Sequence, residues 1–113
     1  MLHNIEKINP KIITLLTEFK KILKQLYGKN LSKLIIYGSY VRGEEKNDSD
    51  VDIAIILKKI DNLYKEIDKI NDLTYELDIK NNIILDFQPI SEEKFNTEEL
   101  SFYNIIKSEG IVI

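Results

Sequence analysis

A chain of 113 residues and 13.2 kDa has room for one domain of ordinary size, so residues 1–113 are read as a single unit. Its 43% hydrophobic and 31% charged residues suit a packed core and exclude a disordered chain, while the lack of Cys excludes disulfide scaffolds, thiolate zinc sites and thiol nucleophiles. A net charge of −3 without a Lys/Arg-dense stretch argues against nucleic acid as partner, and no apolar run approaches the ~20 residues of a membrane span, so a cytoplasmic protein is expected.

The N-terminal stretch lacks the basic start and apolar core of a secretory signal, and the lone His3 is badly placed for a Ser-His-Asp triad. A first helix is predicted from about Pro10 to Leu26, with Asn9 as its cap and Gly28 just past its end. Ile12, Leu15, Leu16, Phe19, Ile22, Leu23 and Leu26 recur at three and four and form its buried stripe. Leu34–Tyr37 reads as a short strand stopped by Gly38. Val51–Leu57, apolar except at Asp52, reads as a strand covered on both faces. Asp61 is placed to cap a helix from about Leu63 to Lys80, carrying Leu63, Ile67, Ile70, Leu73 and Leu77 on one side and leaving through Asn81 and Asn82. Ile83–Gln88 is the third strand, closed by Pro89. Ser91 caps a brief turn with Glu92 and Glu93, and Thr97 before Glu98 and Glu99 repeats that signal for a last helix ending near Gly110. The apolar tail Ile111–Ile113 is expected to pack or to add a short strand. The order helix, strand, strand, helix, strand, helix makes an α/β or α+β domain with a small sheet.

The chemistry concentrates between Gly38 and Asp52. Asp50 and Asp52 stand two apart at the start of a strand, which puts both on one face. Two such carboxylates repel unless a cation or a shared proton compensates, and oxygen donors of this kind suit Mg²⁺. With eight Asp in the chain one such spacing arises easily, and the competing reading places Asp48 and Asp50 in a polar turn. Asp52 is less easily explained so, because it interrupts an apolar run where an unpaired charge costs several kcal/mol. Asp86 likewise interrupts Ile83–Gln88 and can join the pair if the two strands are neighbours; the competing reading is an edge residue facing solvent.

Gly38 after a strand, followed by Ser39 and the short helical turn Tyr40–Arg42, offers backbone N–H groups and a hydroxyl to an anion. Arg42 is the only arginine among sixteen cations. Its donor fork suits phosphate, although an ion pair with Glu44 or Glu45 would also account for it.

Gly38-Ser39, ten residues, and Asp50-Val51-Asp52 resemble the signature of the DNA polymerase β-like nucleotidyltransferase superfamily. The fuller pattern from Gly38 through Arg42 and Gly43 to Asp50 and Asp52 is closer to the minimal nucleotidyltransferases, over about Leu31 to Phe87. Val41 stands where a small Ala is frequent. The resemblance implies a small mixed sheet packed against helices. It implies metal binding by Asp50 and Asp52 (two Mg²⁺), with Asp86 as the third carboxylate, and an ATP triphosphate held by Gly38, Ser39 and Arg42.

The stretch after Asp86 offers one or two helices, so the acceptor is expected to be presented by another molecule. The minimal members resemble antitoxins paired with a HEPN-type toxin, onto which they transfer AMP at a Tyr hydroxyl. That is the leading expectation, with homo- or hetero-oligomers open. The alternatives are an aminoglycoside-like small-molecule adenylyltransferase and a non-catalytic antitoxin binding module. A nucleic-acid polymerase is least favoured, since neither charge nor length provides a template channel.

Overall fold

The Asn9 side chain accepts the Lys11 N–H and opens helix α1, Pro10–Tyr27, with Pro10 at its first position. In this computed structural model, residues 5–113 are described; His3 lies outside them. Gly28 ends the helix at φ +54° and starts a single 3₁₀ turn. Ile12, Leu15, Leu16, Phe19 and Leu23 are buried as their spacing requires, whereas Leu26 is exposed.

Strand β1 spans Leu31–Tyr37 and is followed directly by the short helix α2, Ser39–Arg42. Strand β2, Val51–Leu57, precedes helix α3, Leu63–Asn81. The cap of α3 is Asn62, whose side chain accepts from the Lys65 N–H, rather than Asp61. Asn82 turns the chain out of α3 in the left-handed region at φ 51°. Strand β3 runs Leu85–Ser91, so Pro89 lies within it instead of closing it. An outermost strand tolerates a residue without an N–H, and β3 is outermost.

Ser91 caps α4, Glu92–Thr97, through the Lys94 N–H. Thr97 does not start the next helix: its hydroxyl donates back to the Glu93 carbonyl, and α5 spans Ser101–Glu109 without a side-chain cap. The tail supplies β4, Ile111–Val112.

The sheet order is β3-β2-β1-β4, with β2 and β3 parallel and the other pairs antiparallel. One face packs on α1 and α3 through Val51, Ile53, Ile55, Leu57, Leu34, Ile36, Phe19, Leu23 and Ile70. The other carries a smaller cluster, Ile35, Tyr37, Ala54, Ile56, Ile90, Phe95 and Ile106, under α4 and α5. Both faces of β2 are therefore covered, as its apolar run requires. The ends of β1, β2 and β3 that carry the singled-out residues meet at one side of the molecule.

Candidate active site

Asp52 enters the site because β2 is held in register on both sides. It lies opposite Tyr37 on β1 and opposite Asp86 on β3. Asp86, although on the outermost strand, is thus brought beside Asp52 on the same face. Asp50 stands one residue ahead of β2, exposed, at the end of a loop closed by the Lys46 N–H to Ser49 Oγ at 2.8 Å and the Ser49 N–H to the Lys46 carbonyl at 3.0 Å. The Val51 N–H donates to the Ile84 carbonyl at 2.9 Å and ties the start of β2 to β3.

The three carboxylates crowd one another. Asp52 is half-buried, and burial, then the charges of Asp86 and Asp50, raise its pKa above the ordinary carboxylate value, with Arg42 opposing. Burial, then the charges of Asp52, Asp86 and Glu109, push the Tyr37 hydroxyl well up. Among the described residues, none of the three acids forms an ion pair with Lys or Arg, and no three His, Cys, Asp or Glu side chains are drawn into a ready metal cage. The donor set nonetheless fits a hard divalent cation: it is all carboxylate oxygen, and a cation between these acids would relieve the repulsion that raises Asp52.

Gly38 serves the site by its smallness. It sits at φ +81°, and a methyl group on its Cα would overlap Asp52 Oδ2. The Asp52 carboxylate therefore lies directly against the turn that begins α2. In that turn the Val41 and Arg42 N–H groups bond the Gly38 carbonyl at 3.1 and 3.2 Å. The N–H groups of Ser39 and Tyr40, and the Ser39 hydroxyl, have no partner among the described residues. Gly38 differs, because its own N–H donates to Glu109 Oε1 at 3.0 Å.

Arg42 is exposed and bound to two acids. Nε donates to Glu44 at 2.7 Å, and Nη1 to Glu109 Oε1 and Oε2 at 2.9 and 3.1 Å. The ion pair expected with Glu44 is present, and Glu45 takes no part in it. Nη2 has no partner among the described residues and remains available.

Glu109 was not singled out from the sequence, although one signal was there. A carboxylate in the last turn of α5 opposes the helix dipole, so some local donor has to compensate it. Beside Asp50, a cavity of about 770 Å³ is lined by Asp48, Asp78, Tyr75, Asn47 and Asn82 among others. Asp78 accepts the Leu85 N–H at 3.1 Å, and its pKa is raised chiefly by burial.

The Gly38–Ser39 turn and the three acids are thus gathered at one end of the sheet. The chain belongs to the nucleotidyltransferase domain family, whose model matches residues 16–113, and it is a nucleotidyltransferase. It is 32% identical over 103 residues to a protein of Methanocaldococcus jannaschii provisionally named a protein adenylyltransferase, covering 91% of this chain and 99% of that one. Its fold matches the crystal structure of a provisionally named nucleotidyltransferase from Sulfolobus solfataricus, with a TM-score of 0.64 at 17% identity over 90% of this chain and 78% of the other. A second fold match is the crystal structure of a toxin–antitoxin with AMP-PNP, with a TM-score of 0.51 at 20% identity over 90% of this chain and 68% of the other. The mixed sheet expected from the sequence is thus the nucleotidyltransferase fold.

Proposed function

We propose that this protein transfers AMP from ATP to a Tyr hydroxyl of a partner protein, a HEPN-type toxin, and acts as its antitoxin. The observation that carries the reading is the register pairing of Asp52 with Asp86, directly against Gly38 and beside the free donors of Ser39. The name of the Methanocaldococcus relative supports protein as the acceptor, and the toxin–antitoxin fold match supports such a partner and an adenine nucleotide.

Ser39, the Tyr40 N–H and the Nη2 edge of Arg42 would hold the triphosphate. Asp50, Asp52 and Asp86 would hold two Mg²⁺ ions, which when bound polarise the α-phosphate and make the attacking hydroxyl more acidic. Asp86, exposed on the outermost strand, is reachable by an acceptor arriving from solvent and takes its proton. The acceptor oxygen forms a bond to the α-phosphorus, the α–β phosphoanhydride bond breaks, and pyrophosphate leaves.

Incubation with the toxin, Mg²⁺ and ATP labelled in the α-phosphate is expected to label the toxin, and Asp50→Ala is expected to abolish the label. Labelling that survives Asp50→Ala would overturn the carboxylate roles. A second reading, a cationic small molecule as acceptor, draws on the acidic cavity beside Asp50. Label appearing on an aminoglycoside and not on the toxin would favour it.

A further inference from the structure

Glu109 lies far along the chain from the Gly38–Asp52 segment, yet it holds two of that segment's groups at once. Its Oε1 accepts both the Gly38 N–H at 3.0 Å and Arg42 Nη1 at 2.9 Å, and its Oε2 takes Nη1 again at 3.1 Å. The side chain is only 13% exposed although it carries a full charge. A charge so little exposed to water needs donors that compensate it, and these donors belong to the turn that carries the free Ser39 and Tyr40 N–H groups.

The residue after it fixes where that carboxylate can be. A methyl group on Gly110 would overlap the Ile106 carbonyl and the Ile35 side chain, so α5 ends in tight contact with β1. Beyond Gly110, Ile111 and Val112 pair with Ile36 and Ile35. The carboxylate is therefore held on both sides of its own position, by α5 and by β4. It is not a side chain on a loose tail that chanced to meet a guanidinium.

We infer that Glu109 is a positioning residue for the transfer reaction: it holds the Gly38 turn and the Arg42 guanidinium together, leaving the Ser39 and Tyr40 N–H groups and Nη2 free for a nucleoside triphosphate. The inference rests on the proposed nucleotide reading of this turn. Two contacts give it its direction. Gly38 donates to Glu109, so its N–H is not one of the phosphate donors. Arg42 Nε and Nη1 are held by Glu44 and Glu109, which leaves Nη2 as the free end of the guanidinium.

The opposite idea is that Glu109 merely occupies the phosphate site and competes with the ligand. It predicts the opposite sign, which makes the two separable. Calorimetric titration with a non-hydrolysable ATP analogue, in Mg²⁺, measures the dissociation constant for wild type, Glu109→Gln, Glu109→Asp, Arg42→Lys and the double variant Glu109→Gln/Arg42→Lys. Gln keeps the acceptor for Gly38 but replaces a charged partner of Arg42, and loss of such a bond corresponds to about tenfold weaker binding. Asp falls one methylene short of spanning both groups, and an intermediate loss is expected.

Because Glu109 acts through Arg42, the double variant should bind about as weakly as the worse single variant, not as weakly as the product of the two effects. A merely structural role would lower the thermal midpoint and leave the dissociation constant of the folded protein unchanged. Unchanged or tighter binding in Glu109→Gln, or multiplicative effects in the double variant, overturns the inference. Wild type that binds no nucleotide removes the reading beneath it, and the two failures are distinct in the same titration.

Discussion

On one face of β2, Val51, Ile53, Ile55 and Leu57 are each 0% exposed against α1 and α3. The other face changes along its length, from half-buried Asp52 at one end to Ala54 and Ile56 sealed under the smaller cluster. The uniform face holds the strand still. The graded face uses that stillness to keep carboxylates close together at a solvent-reachable end. Asp52 has neighbours that oppose its charge, and its position is maintained by packing in which it takes no part. The charged end and the fully buried row of side chains thereby lie on opposite sides of one seven-residue element.

The sharpest way to break this division is Asp52→Asn, which keeps shape and removes charge. Nucleotidyl transfer is expected to fall by about a thousandfold, the order seen when an electrostatic stabiliser is removed from an active site. Stability should hold or rise at neutral pH. The sign follows from the raised pKa: folded Asp52 keeps its proton to higher pH than in the unfolded chain. The stabilisation this gives is complete below the ordinary carboxylate range and is lost as pH rises through the raised value. Thermal midpoints measured from acid to neutral pH should therefore converge at the acid end and diverge in favour of Asn towards neutrality. A variant that is less stable than wild type at neutral pH would mean that Asp52 supports the fold.

The uniform face is tested by Ile53→Ala, which should cost about 2–5 kcal/mol in urea denaturation, as expected for truncating a fully buried branched side chain. The folded fraction should retain its nucleotide affinity. A loss of affinity in that fraction would show that the two faces are not separable. The smallest effect is expected for Arg42→Lys: about tenfold weaker nucleotide binding, because a point charge replaces a planar fork, with an essentially unchanged melting temperature for so exposed a residue. Unchanged binding would mean that Arg42 is only a partner for Glu44 and Glu109.

What the sequence made legible follows from how far each signal reaches. The three acids and the Gly38-Ser39 turn could be found because they are charged or flexible residues in apolar surroundings. Their pairing could be stated only conditionally, since whether Asp86 meets Asp52 depends on which strands are neighbours. Local signals went astray where two good candidates stood together. Asp61 and Asn62 are both good caps, and the acids after Thr97 look like a helix start although that threonine already closes α4. The start of β1 was hidden by the polar residues Ser32 and Lys33: Leu31 and Lys33 pair with β2, and Ser32 lies at an irregularity between them. Pro89 looked like a terminator because its tolerance depends on sheet order, a property of the whole fold. Glu109 was missed for a related reason. The groups it holds lie 67 and 71 residues away, and only its awkward place at a helix C-terminus hinted at them.

Pro89 has one more consequence. An outermost strand normally presents a row of amides to which another chain can hydrogen-bond, and here that row is interrupted at Pro89. The opposite border of the sheet is β4, two residues long. β4 covers β1 only at Ile35 and Ile36, so the gap at Pro89 is what interrupts strand-by-strand growth along the β3 border. A chain adding along β3 would meet that gap, whereas the acidic end of β2 stays open to solvent.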